Sequence, residues 1–220
     1  MKKITLTLGV LFIIFGLLYN SCKKENDDKN TPNITYYEFT DTRDGQTYKY
    51  VQIGDQYWMA ENLNYESDSG SYVYNNELSN AAIYGRLYDW ETAINVCPDG
   101  WQLPSDSEWK ELEMYLGMSQ SDVNSTGLRG TNEGSKLKST SGWNYDGNGT
   151  NESGFSALPG GYRNYIGDFV TIGGTAYFWS STASYSNASW YRLLGSNAES
   201  VYRSSHNQVY CFSVRCVKDE

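Results

Sequence analysis

Apolar and polar residues alternate in part over residues 48–53 and again over residues 56–60, a pattern typical of strands that bury one face. Between the two runs lies Gly54-Asp55, a pair that favours a tight turn. The segment therefore predicts a β-hairpin.

Two helices are predicted after the hairpin, over residues 84–96 and from Ser105 to Gly117. The apolar residues of the first recur at helical spacing: Leu87, Trp90 and Ile94. In the second, Ser105 and Glu108 have the spacing of a capping box. Its apolar face carries three residues: Trp109, Leu112 and Leu116.

The last third of the chain again predicts strands, after a Gly-, Ser-, Thr- and Asn-rich region at residues 127–149 that predicts long loops. Strands are predicted over residues 155–162, 176–181, 189–194, 200–203 and 210–217. A hairpin, two helices, long loops and a set of closing strands together predict an α+β domain.

Alternation along the last predicted strand suggests a disulfide. Phe212, Val214 and Cys216 share one face, which is apolar and should be buried, whereas Cys211 should point outward. Cys97 lies at the end of the first predicted helix, where it can reach a core strand. We therefore predict a Cys97–Cys216 bridge and a spare thiol at Cys211.

The first 21 residues have the pattern of a signal peptide, with Lys2 and Lys3 before an apolar run at residues 6–18 that is too short for a stable membrane span. Cys22 ends this region in the manner of a lipobox, although Tyr19 and Asn20 depart from the usual residues. We predict acyl chains, such as palmitate, on Cys22, which would anchor the chain in a lipid bilayer. The alternative is an ordinary signal peptide with an incidental cysteine.

Residues 22–36 are polar and charged, which predicts a flexible tether between the lipid and a domain at residues 37–220. Acidic residues just after the lipidated cysteine resemble the surface-export signals of Bacteroidetes lipoproteins. We therefore expect a lipid-anchored protein on the outer membrane, facing the cell surface. The net charge of −9 argues against nucleic acid as a partner.

Several segments together resemble one family: residues 44–65, Cys97-Pro98-Asp99-Gly100-Trp101-Gln102-Leu103-Pro104, residues 152–163 and Ser213-Val214-Arg215-Cys216-Val217. In this order they resemble the Fibrobacter succinogenes major paralogous domain, which occurs in lipoproteins of Bacteroidetes and Fibrobacteres. The resemblance implies a C-type-lectin-like fold of the formylglycine-generating-enzyme branch, with twisted antiparallel sheets, two flanking helices and long loops. It also implies the Cys97–Cys216 bridge, but it implies no defined activity.

Catalytic chemistry has weak support in the sequence. Cys211 and Cys216 have the five-residue spacing of the reactive pair in formylglycine-generating enzymes, but on a strand they would face opposite sides. His206 is the single histidine and lies in a predicted polar loop, so no Ser-His-acid set can be assembled. An enzyme on this scaffold remains the alternative hypothesis.

Two kinds of binding site are suggested by the loops. Oxygen-bearing side chains alternate at Asp146, Asn148, Thr150 and Glu152, a composition that suits calcium, although a self-satisfied turn would look the same. Aromatic rings in loops and at strand tips could stack on sugars or anchor a protein partner. The candidate rings are Trp143, Tyr145, Tyr165 and Trp190.

The sequence thus favours a non-catalytic binding or adhesion module whose ligand is a glycan or another cell-surface protein. A structural envelope protein is a third hypothesis, in which the long loops only pack against neighbouring molecules. Fold alone does not choose between these classes.

The lipid anchor can be tested by labelling a bacterial host with radioactive palmitate. We expect the wild-type chain to incorporate label and Cys22→Ala to lose both label and membrane association, because the thioether can form only at that sulfur. Cys211→Ala is the matched control and should keep the label. Label on the Cys22→Ala chain would contradict the assignment.

Overall fold

The computed structural model describes residues 34–219, so the predicted signal peptide, Cys22 and most of the predicted tether lie outside the described residues. The strands are β1 Tyr36–Thr40, β2 Thr47–Ile53, β3 Gln56–Met59, β4 Ser71–Tyr72, β5 Leu87–Tyr88, β6 Trp101–Gln102, β7 Gly127–Arg129, β8 Tyr162–Arg163, β9 Phe169–Val170, β10 Thr175–Tyr185, β11 Ala188–Gly195, β12 Val201–Asn207, β13 Phe212–Ser213 and β14 Val217–Lys218. The helices are α1 Leu78–Tyr84, α2 Trp90–Ala93, α3 Asp106–Tyr115, α4 Gln120–Asn124 and α5 Glu133–Leu137, with a 3-10 turn at Tyr74–Asn76.

Two sheets, in which the strands do not follow their order in the sequence, make up most of the fold. The first has the strand order β1-β2-β3-β14-β6, and the second has the order β4-β5-β13-β10-β11-β12-β7. Strands β8 and β9 form a separate pair. Neighbouring strands are antiparallel except β10 and β13, which are parallel. The α+β class is therefore confirmed.

The hairpin and α3 form as the sequence predicts. Strands β2 and β3 pair in antiparallel register across the Gly54 turn. At the start of α3, Ser105 Oγ accepts a bond from the Glu108 backbone N–H at 3.2 Å. The Ser105 backbone N–H donates in return to Glu108 Oε2 at 2.7 Å, which completes the capping box. The apolar face of α3 is buried in the core.

The helix predicted over residues 84–96 is wrong. The α1 helix ends at Tyr84, strand β5 follows, and only Trp90–Ala93 is helical, with the Asp89 side chain accepting from the Thr92 backbone N–H. Gly85 breaks the helix because it has φ of +71°. The prediction of loops at residues 127–149 is partly wrong, since this region contains β7 and α5. The prediction of a strand at residues 155–162 is also partly wrong, since the backbone there is irregular until β8 begins.

The predicted disulfide is confirmed, but the strand argument behind it fails for Cys211. Cys97 and Cys216 are bonded, with Cα atoms 6.0 Å apart. Residues 210–217 do not form one strand, because β13 and β14 belong to different sheets and Val214–Cys216 crosses between them. Strict alternation therefore does not hold, and Cys211 is buried at 1% exposure rather than pointing outward.

A buried network of charges ties α3 to the second sheet. Glu113 is fully buried and its Oε1 accepts from Arg129 Nη2 at 2.8 Å and from Arg192 Nε at 2.6 Å. Asp106 accepts from Arg192 and Arg203 at 2.7–2.9 Å. Burial alone would raise the pKa of Asp106, but hydrogen bonds and charge from Arg203 and Arg192 outweigh it and lower that pKa.

Removing one charge from this network should destabilise the domain. In Glu113→Gln, Arg129 and Arg192 stay buried without their shared carboxylate, so we expect a loss of about 3–5 kcal/mol in the free energy of unfolding. Chemical denaturation followed by tryptophan fluorescence measures it. The control is Glu111→Gln, an exposed position on the same helix, where a change within about 0.5 kcal/mol is expected. Equal effects at both positions would contradict the assignment.

Candidate functional site

A cleft of about 620 Å³ lies between α1 and the start of β2. The hairpin contributes Thr47, Tyr48 and Lys49, and the segment after β3 contributes Ala60 to Asn62 and Asn64. The rest of the lining consists of Tyr36, Gln46, Ala81, Ala82, Ile83, Gly85, Ser139, Ser156, Leu158 and Arg215. Residues from seven separate segments of the chain thus converge on one cavity.

The helical wall is held close to the segment after β3 by Gly85. A Cβ atom at this position would lie 2.7 Å from the Leu63 carbonyl oxygen and 2.9 Å from the Asn62 side chain. The close approach lets the Arg86 backbone N–H donate to Leu63 O at 3.0 Å. It also lets Asn62 Nδ2 donate to the Tyr84 carbonyl at 2.8 Å. Glycine is therefore required here for the shape of the cleft.

The opposite wall is fixed by two residues in left-handed backbone conformations, Asn151 at φ 53° and Ser156 at φ 56°. The Ser156 backbone N–H donates to Asn151 Oδ1 at 2.8 Å, and Asn151 Nδ2 donates to Ser156 Oγ at 2.9 Å. The Tyr36 hydroxyl lies 3.2 Å from the same Oγ. Strain held by such reciprocal bonds is typical of preformed binding sites.

The cleft continues along α1 into a second hollow of about 510 Å³, with which it shares Gln46, Asn64, Ala81 and Ala82. There the Arg43 guanidinium stacks on the Tyr65 ring at 3.9 Å, and Arg86 pairs with Glu66 at 2.8 Å. Leu78 at this end and Ile83 beside the cleft are exposed apolar residues. The two hollows form one groove that could hold an extended ligand.

Hydrogen-bonding groups and apolar side chains both line this groove. Asn64 Oδ1 is buried and accepts no hydrogen bond from the described residues. The Asn64 Nδ2 group donates to Gln46 Oε1 at 3.3 Å, and both of these residues line the two hollows. Among the described residues that line the cleft, Glu61 is the single carboxylate, and neither histidine nor cysteine is present. This set can bind polar ligands, but it offers no nucleophile paired with a base.

The four predicted ligand-binding rings do not come together. Trp143 is buried, and its Nε1 donates to Ser139 Oγ and Ala157 O, both at 3.1 Å. Trp190 stacks on Arg203 at 3.7 Å. Tyr145 is 89% exposed, and Tyr165 lies 5.8 Å from the Tyr210 ring. No two of the four rings are in contact with each other, and none of them lines the cleft.

The predicted calcium ligands lie in an exposed turn. The Asn148 side-chain oxygen accepts from the Trp143 backbone N–H at 3.1 Å and so serves the turn itself. Asp146, Thr150 and Glu152 are exposed. Within residues 34–219 no cluster of three or more His, Cys, Asp or Glu side chains suited to a metal is found. Calcium binding stays a prediction.

Comparison with known families shows which family the chain belongs to. The model of the Fibrobacter succinogenes major domain matches residues 51–218. The chain belongs to this family. No curated protein and no solved structure shows a significant match. Within the described part of this Fibrobacter succinogenes major domain, no helix is long and apolar enough to cross a membrane.

The matched range contains most residues of the cleft that the sequence did not single out. Glu61, Asn62 and Asn64 belong to the segment that carries the family resemblance, and so does Arg215. The family resemblance was the one feature of the sequence that marked these residues, but it could not show that they face one cavity. Lys49 and Tyr36 lie before the matched range.

A reactive pair of Cys211 and Cys216, as in formylglycine-generating enzymes, is not available in this major domain, because Cys216 is bonded to Cys97. Burial raises the pKa of Cys211 to about 12, and a thiol in that state is a poor nucleophile. His206 lies in β12 rather than in a loop, with its ring 3.9 Å from that of Tyr210. Burial lowers the pKa of His206, so it is mainly neutral at neutral pH.

Alkylation kinetics can test whether Cys211 is inert. In the Cys22→Ala chain we expect iodoacetamide to modify no thiol of the native protein at neutral pH, and one thiol after denaturation without reductant. Burial at 1% exposure and the raised pKa both oppose attack. Peptide mass analysis locates the label. Rapid native labelling of Cys211 would instead favour the enzyme hypothesis.

Proposed function

We propose that this protein is a non-catalytic binding module, held at the cell surface by the lipid on Cys22, and that the cleft beside α1 binds a glycan. The observation that carries the proposal is the cleft of about 620 Å³, whose walls bring amide, hydroxyl and charged side chains together with two tyrosine rings. Sugar ligands supply many hydroxyl donors, and concave sites with a few convergent polar groups are the usual form of small-ligand sites.

The walls support recognition rather than catalysis. Amide and hydroxyl side chains at Gln46, Asn62 and Ser139 stand beside the Tyr36 and Tyr48 rings. Aromatic rings pack against the apolar face of a pyranose, while amides exchange hydrogen bonds with its hydroxyls. A C-type-lectin-like scaffold, with its association of long loops and ligand binding, is part of the same proposal.

A second ligand class has one supporting feature. The groove is rimmed by Leu78, 75% exposed, and Ile83, 55% exposed, which would suit contact with a cell-surface protein. The amide and hydroxyl groups of the walls favour the glycan, so the protein ligand is kept as an outcome of the test.

A glycan array screened with the fluorescent Cys22→Ala chain tests the proposal. We expect binding to a restricted set of oligosaccharides, and Asn64→Ala to weaken it about fivefold or more, since one hydrogen bond is lost. Asn187→Ala, at an exposed turn far along the chain, is the matched control and should bind like the wild type. Absence of any glycan signal, or capture of a surface protein through Leu78, would overturn the glycan assignment.

A further inference from the structure

Arg215 forms part of the floor of the cleft although its side chain is almost completely buried. Its Nε and Nη2 donate to Asn62 Oδ1 at 3.1 and 2.7 Å. Its Nη1 donates to the carbonyls of Met59, at 3.1 Å, and Phe155. The guanidinium also stacks over the Phe155 ring at 4.3 Å. Every one of these partners is neutral.

This arrangement differs from the other strongly buried arginines of the domain. Arg192 and Arg129 both contact Glu113, and Arg203 contacts Asp106. Arg215 makes no ion pair with any carboxylate in residues 34–219. A buried charge without a counter-ion is costly, and such charges are normally paired.

Hydrogen bonding around Arg215 is also incomplete. A guanidinium has five N–H donors, and four hydrogen bonds are made to described acceptors. One N–H of Nη2 therefore has no acceptor within the described part of the chain. Asn62, which holds Nη2 in place, itself lines the cleft.

The charge of the cleft is opposite in sign to that of the whole protein. Lys49 and Arg215 line it with positive charge and Glu61 with negative charge, whereas the chain carries a net charge of −9. Burial lowers the pKa of Arg215 to about 9, so the group remains cationic at neutral pH. Because the surroundings of Arg215 are dry, its field acts on the cleft with little screening.

We infer that the ligand of the cleft is an acidic sugar, whose carboxylate serves as the missing counter-ion of Arg215. The inference rests on the proposed glycan-binding function. Carboxylate and guanidinium form strong charge-assisted hydrogen bonds, and the unpaired Nη2 donor suits one. A uronic acid combines such a carboxylate with hydroxyl groups for Asn64 and the other amides of the walls.

Glu61 sets a limit on the charge that the cleft accepts. Its Oε2 accepts from the Lys49 backbone N–H at 2.9 Å, which keeps the carboxylate on the wall. One carboxylate of a ligand is attracted by Arg215 and Lys49, but further negative charge is repelled by Glu61. The site therefore favours sugars with isolated carboxylates over polyanions.

The test compares a trisaccharide that carries a single galacturonic acid residue with the methyl ester of that trisaccharide, which has the same ring shape but no charge. Using the Cys22→Ala chain and isothermal calorimetry, we expect the acid to bind about tenfold or more tightly than the ester. High salt should weaken binding of the acid alone. Equal affinity for acid and ester would overturn the inference while leaving the glycan-binding function intact.

Two variants locate the charge effect. Arg215→Met, a neutral residue of similar length, should lower affinity for the acid about tenfold more than it lowers affinity for the ester. Glu61→Gln keeps the hydrogen bond from Lys49 and should bind the acid about threefold more tightly. Because Glu61 is exposed, the Glu61→Gln chain should fold normally. It therefore tests the inference even if Arg215→Met does not fold.

The remaining outcomes are also decisive. If the Glu61→Gln chain binds the acid no better than the wild type, the carboxylate is not held in this cleft and the inference fails. If the trisaccharides do not bind but neutral glycans do on the array, the inference fails and the proposed function stands. If no sugar binds and a peptide ending in a free carboxylate does, both the acidic sugar and the glycan-binding function are wrong.

Discussion

The backbone from Phe212 to Lys218 is the constraint on which the rest of the domain depends. Within seven residues it supplies β13 to the second sheet and β14 to the first, so it is the shortest of the chain's connections between the two sheets. Between these strands, Val214 O and Cys216 O accept from Leu63 N and Met59 N. The same short segment carries the disulfide and the floor of the cleft.

Local features of the fold were predictable, and contacts between distant parts were not. The hairpin depends on the Gly54 turn, and α3 depends on its own capping box and apolar face, so both can be inferred from neighbouring residues. The prediction of a helix over residues 84–96 was wrong because the backbone at Gly85 packs against the Leu63 carbonyl, a contact that only glycine allows. Leu63 lies 22 residues earlier in the sequence, so neighbouring residues give no sign of this contact. The prediction that Cys211 points outward was wrong because both faces of the strand are covered: Phe212 packs in one hydrophobic cluster, and Cys211 packs in another with Tyr74 and Leu87.

The candidate site shows the same division. Glu61, Asn62 and Asn64 follow the hairpin directly, and a sequence reader can see that they are close to one another. Arg215 joins them from a position 153 residues away from Asn62. Its lack of a carboxylate partner is a property of the assembled core, so no spacing in the sequence could predict it. Of the four aromatic rings predicted to bind a ligand, Trp143 fills the interior, whereas Tyr145 and Tyr165 are exposed at separate places.

The position of Phe212–Lys218 at the end of the chain also determines when the domain can be completed. Because synthesis proceeds from the N-terminus, β3, β6 and β10 are made before these residues and cannot pair with them until they follow. Cys97 likewise has to remain reduced, or be kept from Cys211, until a partner 119 residues later arrives. Closure of the two sheets is therefore a late step of folding, and a Cys97 thiol that pairs with Cys211 first has to undergo thiol–disulfide exchange before the native bridge forms.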